Sequence, residues 1–485
     1  MNQLIMCYEM TPEFQQAVAS IDHSNEPLLI TGAAGTGKSV LIRQLIEHYD
    51  GDAVACAFTG LAASNLEGVT LHSLFRIAVT AGQHPMDQVG HRPVADPHRL
   101  DRWFRVVIID EISMVNPALL DLIEAKLRRA FHPDLIFGGK KVVMVGDPFQ
   151  LEPIGFSRTN LALRQRLEEE YGAQPNFRSA HCLHGVEVPE IQLTTNWRQA
   201  EDTRFYQALA AIRNSTELPQ LREEINWVNT HRPRNGPPPA GCLKIRHSNR
   251  EVDRENEMAL QALEEAEDTS RLAVVGTDHG FIYEFLGGGR EESNFDRPID
   301  RPGSITDANL TDRGRSRLPS PPTLRLAFGA RVVLSANQWN HGLVNGTLGR
   351  LQSIRMQDGT VYDRANLPRY PLNCDAIDSA AFLPDDADFS VRIQPYRWGR
   401  NRVDYDPETE RYRLQQEGSY RQLPFRLGYA TTVHKAQGMT LDCVDFSLPA
   451  PTWPNRRNLI YTALSRVREL QGLYLDRDLE VQDFV

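Results

Sequence analysis

The stretch LLITGAAGTGKSVLIRQL holds Gly32, Gly35, Thr36, Gly37, Lys38 and Ser39 in the spacing G-x-x-x-x-G-K-S. Glycines at this spacing let backbone amides converge on phosphate oxygens, and the N-terminus of the following helix adds its positive end. Lys38 then reaches the β- and γ-phosphates, while the Ser39 hydroxyl holds Mg²⁺. A second element, VVIIDEIS, ends an apolar run in two acids. Asp110 suits a metal-holding carboxylate, and Glu111 suits the base that orients water. Solvated turn acids are the bland alternative, but the phosphate loop upstream favours the functional reading. In VVMVGDPFQLEP, Gln150 offers an amide that can bond a γ-phosphate or a water on it. Arg198 of LTTNWRQ and Arg466 of IYTALSRVR are candidate cations for charge developing on a transferring phosphoryl group. Together these residues describe hydrolysis of a nucleoside triphosphate with ATP and Mg²⁺ as cofactors.

Such residues need a rigid frame. Four short apolar runs, PLLIT (27–31), AVACAFT (53–59), VVII (106–109) and VVMV (142–145), are rich in Val, Leu or Ile and bounded by turn or polar residues. That is the signature of buried parallel strands in an α/β layered domain. Asn116 can cap, and Pro117 can begin, a helix whose Leu119, Leu122, Ile123 and Leu127 recur at helical spacing. At 485 residues the chain exceeds one ordinary core, so two or three domains are expected. HRPRNGPPPAG (231–241) and Asp296–Pro322 read as linker and exposed loop.

Composition narrows little. Hydrophobic content of 41% and charged content of 24% describe a globular chain, and no apolar run approaches the ~18 residues that span a bilayer. MNQLIMCYEM lacks the basic start and small-residue cleavage site of a signal peptide, so a cytoplasmic location is expected. A bacterial or phage-type setting is the expected context, with organelle and nucleus left open as alternatives. Six scattered cysteines (Cys7, Cys56, Cys182, Cys242, Cys374 and Cys443) form no C-x-x-C pair; reduced, packed thiols are the expectation. A net charge of −10 argues weakly against nucleic-acid binding, although a local groove can be positive on an acidic protein.

Eight stretches in order, GAAGTGKS, AFTGLAASNLEGVTLHSLF, IIDEISM, GDPFQLEP, NWRQ, LVNGTLG, TVHKAQGMTLD and YTALSRV, resemble the successive motifs of a superfamily 1B DNA helicase of the Pif/RecD-like branch. The likeness runs from about residue 10 to about residue 470, with gaps at 77–100, 270–320 and 355–420. It implies an α/β fold of two RecA-like lobes with ATP between them, the first over 1–200 and the second over 201–485. It further implies a wedge-type insertion near 76–102 and an SH3-like β-barrel insertion near 350–423. Arg198 would approach the nucleotide from the first lobe and Arg466 from the second. The family's adenine-reading glutamine falls where Phe14 stands here, with Gln15 and Gln16 next to it; Gln15 is the favoured substitute.

The same resemblance assigns a nucleic-acid path. Thr59, Gly60 and His72 would contact the strand, and Phe75 would either stack on a base or lie in the core. Asn345 stands in an exposed turn before a strand. Arg397 and Trp398 belong to an aromatic-basic cluster suited to single strands, although a half-exposed strand reads equally well. In ATTVHKAQGMTLD, His434, Lys435 and Thr440 would face nucleic acid, with Gln437 and Gly438 nearer the nucleotide. The implied function is an ATP-dependent helicase moving 5′-to-3′ on single-stranded DNA and opening forked or structured duplexes, as a monomer. The rival readings are a P-loop loader or remodelling switch and a non-catalytic DNA-binding subunit.

Overall fold

The computed structural model describes residues 11–49, 51–58, 62–63, 66, 69–75, 77, 84–88, 104–153, 161–173, 175–199, 201–234, 236–239, 241–267, 272–279, 320–336, 338, 341, 343, 346–385, 387–406, 411–451, 453 and 455–484. Most of the expected wedge-type insertion, and all but 320–322 of the expected loop at 296–322, lie outside these residues.

Helix α1 (Pro12–His23) opens the described chain. Thr11 caps it by accepting the Phe14 amide, and Pro12 supplies a preset φ at its first position. Strand β1 (Leu28–Gly32) follows, then α2 (Lys38–His48), β2 (Ala53–Ala57), β3 (Val69–Thr70), one-turn α3 (Leu71–Leu74) and β4 (Val106–Asp110). Next come α4 (Pro117–Ala130), β5 (Lys141–Gly146), α5 (Leu161–Tyr171) and β6 (Glu190–Leu193). Asn116 caps α4 through the Leu119 amide at 2.8 Å, and the apolar residues expected on its inner face are buried.

The six strands form one parallel sheet ordered β3-β2-β4-β5-β1-β6. Strands β1, β4 and β5 are buried along their whole length, as continuous Val/Leu/Ile runs require when both sheet faces are covered. One face packs on α1 and α2 through Phe14, Leu41 and Leu45; the other packs on α4 through Leu119, Ile123 and Leu127.

The second half begins with α6 (Thr203–Asn214), α7 (Leu218–His231), β7 (Leu243–Arg246) and α8 (Asn249–Glu267). Strands β8 (Leu272–Val275), β9 (Thr277–His279) and β10 (Thr323–Leu326) precede β11 (Arg331–Leu334) and β12 (Leu348–Met356). Then come β13 (Val361–Tyr362), β14 (Leu372–Asn373), β15 (Ile377–Pro384), β16 (Val391–Ile393), β17 (Tyr396–Asp406), β18 (Arg411–Gln422) and β19 (Phe425–Leu427). The chain ends in β20 (Ala430–Thr432), one-turn α9 (Val433–Ala436), β21 (Val444–Phe446), α10 (Arg456–Leu464) and β22 (Leu473–Leu475).

A second parallel sheet, β20-β7-β21-β22, joins strands far apart in sequence, and α6, α7 and α10 build its core. The Asn256 side chain on α8 receives the Tyr429 and Ala430 amides and donates to the Ala430 carbonyl, which ties α8 to β20. Between β7 and β20 lies an antiparallel sheet, β16-β15-β12-β11-β19, with its own core around Leu351, Phe382 and Phe425. It takes in β11 and β19, so it is wider than residues 350–423.

One sequence expectation is corrected here. Cys242 and Cys443 stand abreast just before β7 and β21, with Cα atoms 4.7 Å apart, and are joined as a disulfide. They are 201 residues apart in the chain, so only the pairing of those two strands reveals the neighbourhood. Cys56, Cys182 and Cys374 are free.

Candidate active site

The phosphate loop leaves β1 and enters α2 through two glycines in the left-handed region, Gly35 (φ 84°) and Gly37 (φ 87°). A Cβ on Gly35 would stand 2.5 Å from the Arg198 Cβ, so only glycine permits the segment Asn196–Arg198 to cross so closely. That segment is strapped on by Asn196 Nδ2 donating to the Ala34 carbonyl at 2.8 Å. The Trp197 amide adds a bond to the Gly35 carbonyl at 2.9 Å. Lys38 donates to the Gly32 and Ala33 carbonyls at 2.8 and 2.9 Å. Burial lowers its ammonium pKa, against the opposing charges of Asp147, Glu111 and Asp110. Thr36 donates to the Ala33 carbonyl, and Ser39 is exposed on the first turn of α2.

At the neighbouring strand end, Asp110 accepts the Glu111 amide at 2.8 Å. Glu111 holds φ 53°, an uncommon conformation for a side chain other than glycine or asparagine and one that concentrates at functional sites. Burial holds both carboxyl groups above the ordinary carboxylate range, and the Asp110 charge raises Glu111 further. A carboxyl with raised pKa is suited to taking a proton near neutrality.

Gln437 reaches this pair from the second half of the chain. Its Nε2 donates to Glu111 Oε2 at 2.6 Å and to Gln150 Oε1 at 3.2 Å. The Gln150 carbonyl in turn accepts Asn458 Nδ2 on α10 at 2.8 Å. Gly438, at φ 82°, ends α9 just after Gln437. The two arginines meet in the same cleft. Arg466 is 1% exposed and donates to the Thr462 carbonyl at 2.7 Å and Ser465 Oγ at 2.8 Å; burial lowers its pKa. Arg198 donates to Thr440 Oγ1 at 2.9 Å and the Ser465 carbonyl at 3.1 Å. Its pKa is pushed down to about 9 by burial, with Arg466 contributing, which leaves it charged at neutral pH.

The remaining sequence-derived residues divide. Thr59, Gly60 and Asn345 lie outside the described residues. Gln15 is exposed on α1, beside the buried Phe14. His72 is half-buried, edge-on to Phe58 at 5.4 Å. His434 and Lys435 are exposed on α9, with Lys435 Nζ donating to Asn249 Oδ1 at 3.0 Å. Arg397 is exposed. Three placements correct the sequence reading. Phe75 is 0% exposed and packs with Leu71, Val107 and Leu119, so it presents no stacking face. Trp398 is 7% exposed, closed in by Tyr396 and Tyr420 at 4.9 and 6.0 Å between ring centres. The Thr440 hydroxyl points at Arg198, hence into the nucleotide cleft.

Two residues escaped the sequence reading. Trp197 is 67% exposed, and its indole lies 3.5 Å from where a Cβ on Gly37 would be. An aromatic beside Arg198 in NWRQ was the available signal. Tyr461 reaches the phosphate loop from α10, which no local pattern indicates.

Comparison with known proteins agrees with this geometry. Residues 9–218 match the PIF1-like helicase family model, and residues 427–474 match the UvrD-like helicase C-terminal domain. The chain is 28% identical to the ATP-dependent DNA helicase PIF1 of Homo sapiens over 469 residues, covering 95% of this chain and 60% of that protein. It is 28% identical to the ATP-dependent DNA helicase Pif1 of Bdellovibrio bacteriovorus, covering 96% and 88%. The chain thus spans about 60% of the length of its fungal and vertebrate relatives. The crystal structure of Bacteroides sp Pif1 in complex with ADP-AlF4 superimposes with a TM-score of 0.74 at 25% identity, covering 98% of this chain and 94% of that one. The same protein bound to ssDNA superimposes with a TM-score of 0.57. With the phosphate loop, the acid pair and both arginines converging in one cleft, the chain is similar to the PIF1-like helicases along most of its length.

Proposed function

We propose that this chain is an ATP-driven DNA helicase that moves along single-stranded DNA and parts forked or structured duplexes. One observation carries the reading. Gln437 sits two residues beyond the exposed His434–Lys435 pair and bonds both Glu111 and Gln150. A strand held at α9 would therefore act directly on the groups that handle the attacking water. The names of the relatives, and the ADP-AlF4 and ssDNA complexes of the Bacteroides protein, support the same conclusion.

In this reading ATP lies between a first lobe (1–200) and a second lobe (201–485), with insertions near 76–102 and 350–423. Lys38 and the loop amides hold the phosphates, Glu111 takes the proton of the attacking water, and Arg198 and Arg466 neutralise charge on the γ-phosphoryl. The exposed Trp197 indole offers a face for the nucleobase, and Gln15 is the residue that would read its edge. Two neighbouring carboxylates and a serine hydroxyl are a hard oxygen donor set that fits Mg²⁺, which takes few protein ligands besides phosphate and water. Ser39 and Asp110 would hold the ion, and its charge would stabilise the phosphate oxygens. Thr59, Gly60, His72, Asn345, Arg397, His434 and Lys435 would line the strand, with 5′-to-3′ movement. No helix among the described residues is long and apolar enough to cross a membrane; a monomer working in the cytoplasm fits this reading.

The test is displacement from a forked duplex together with ATPase measured with and without single-stranded DNA. Wild type should separate strands and be stimulated by DNA, whereas Lys38→Ala should do neither. ATP hydrolysis that single-stranded DNA leaves unchanged would overturn the helicase reading in favour of a loader or switch.

A further inference from the structure

Tyr461 lies on α10, five residues before Arg466, and is 2% exposed. Its helix packs in the core of the second parallel sheet, yet its hydroxyl reaches two groups of the first. It accepts the Ala34 amide of the phosphate loop at 3.1 Å and donates to Asp147 Oδ2 at 3.1 Å. Asp147, immediately after β5, is fully buried. Its other oxygen receives Arg213 Nε at 3.0 Å from α6, together with the Phe149 amide at 3.1 Å. Helices α6 and α10 of the second core thus converge on one carboxylate of the first. The resulting chain runs from the Ala34 amide through Tyr461 and Asp147 to Arg213.

A buried phenol needs one partner to avoid a desolvation penalty. This one uses its donor and its acceptor capacity together, and both partners belong to the opposite lobe. Burial and the adjacent Asp147 charge raise its pKa, so the hydroxyl keeps the proton it donates. Three residues earlier on the same helix, Asn458 donates to the Gln150 carbonyl. Helix α10, which leads into Arg466, is therefore pinned to the first lobe one turn apart, at the phosphate loop and at the strand end carrying Gln150.

We propose that Tyr461 is a positioning residue, a latch between the lobes. It sets the register of α10, and hence of Arg466, against the phosphate loop when the cleft is closed. The proposal rests on the ATPase reading above. Parting of the lobes breaks both Tyr461 bonds together, whereas Tyr461→Phe removes the latch and keeps the ring that fills the core. Asp147 retains Arg213 in that variant, so the fold is kept.

The experiment compares wild type, Tyr461→Phe, Asp147→Asn and the double variant. In Tyr461→Phe, losing both bonds in the closed state should lower DNA-stimulated kcat by at least about fivefold. In Tyr461→Phe the KM for ATP, the melting temperature and nucleotide-free affinity for a dT oligonucleotide should stay near wild type. The double variant should lose less than the product of the two single losses, because both residues act through one chain. Hydrogen exchange of the phosphate-loop peptide in nucleotide-free protein should quicken in Tyr461→Phe, a readout that needs no turnover. Wild-type kcat with unchanged exchange in Tyr461→Phe would overturn the latch. So would equal losses of kcat, ATP affinity, DNA affinity and melting temperature, which would make Tyr461 a packing residue. Absence of DNA-stimulated hydrolysis in wild type would sink the helicase reading instead, and the exchange comparison would still decide whether Tyr461 holds the loop.

Discussion

In the proposed mechanism the chemistry turns on Glu111, and its surroundings tune it in opposite directions. Burial and Asp110 raise its pKa, while the Lys38 charge and the Gln437 hydrogen bond lower it. A base works only when deprotonated, so kcat should rise with pH through a midpoint above the usual carboxylate value of about 4.3. Removing the Gln437 amide takes away a donor that favours the charged form. Gln437→Ala should therefore shift that acidic limb to higher pH, measured as the kcat profile with saturating ATP and DNA. The same variant should keep most single-stranded DNA affinity and lose stimulation of hydrolysis. Equal loss of both would reduce Gln437 to a part of the fold.

Among the elements, the crossing of the Asn196–Arg198 segment over the phosphate loop depends on close backbone approach. Gly35→Ala would place a methyl group 2.5 Å from the Arg198 Cβ and force an L side chain into φ 84°. Left-handed strain of about 1–2 kcal/mol, with the clash added, should displace Arg198 and Trp197 together. Expected outcomes are a fall in melting temperature and weaker binding of a fluorescent ATP analogue. Gly51→Ala, at a similar φ of 87° but with open space around it, should cost stability alone. Equal nucleotide binding by the two variants would show that the crossing does not shape the site.

For the whole molecule, the proposed helicase function requires a net charge of −10 to coexist with binding a polyanion. That is possible where cations such as Lys435 and Arg397 stand exposed on a local surface. DNA affinity should then fall linearly on a log–log plot against salt. Replacing Lys435 or Arg397 with alanine should each shallow the slope by about one. A slope untouched by either substitution would move the strand to another face.

The sequence alone determined the phosphate-loop pattern, the acid pair at a strand end and the parallel α/β frame. Phosphate loops and buried strands are local features, written in glycine spacing, a helix start and short aliphatic runs. Gly32–Ser39, Asp110 and Glu111 were legible for that reason, and so was the helix begun by Asn116 and Pro117. Only the tertiary structure decided which way the side chains between motifs face. Phe75 and Trp398 entered cores because their neighbours buried them, and periodicity over four residues cannot separate a stacking ring from a packed one. Thr440 turned to Arg198, and Cys242 met Cys443, through contacts 242 and 201 residues apart. Tyr461 bridges the lobes across a separation of 427 residues. Such pairings exist only once two separately built sheets close on each other, and no local propensity carries that information.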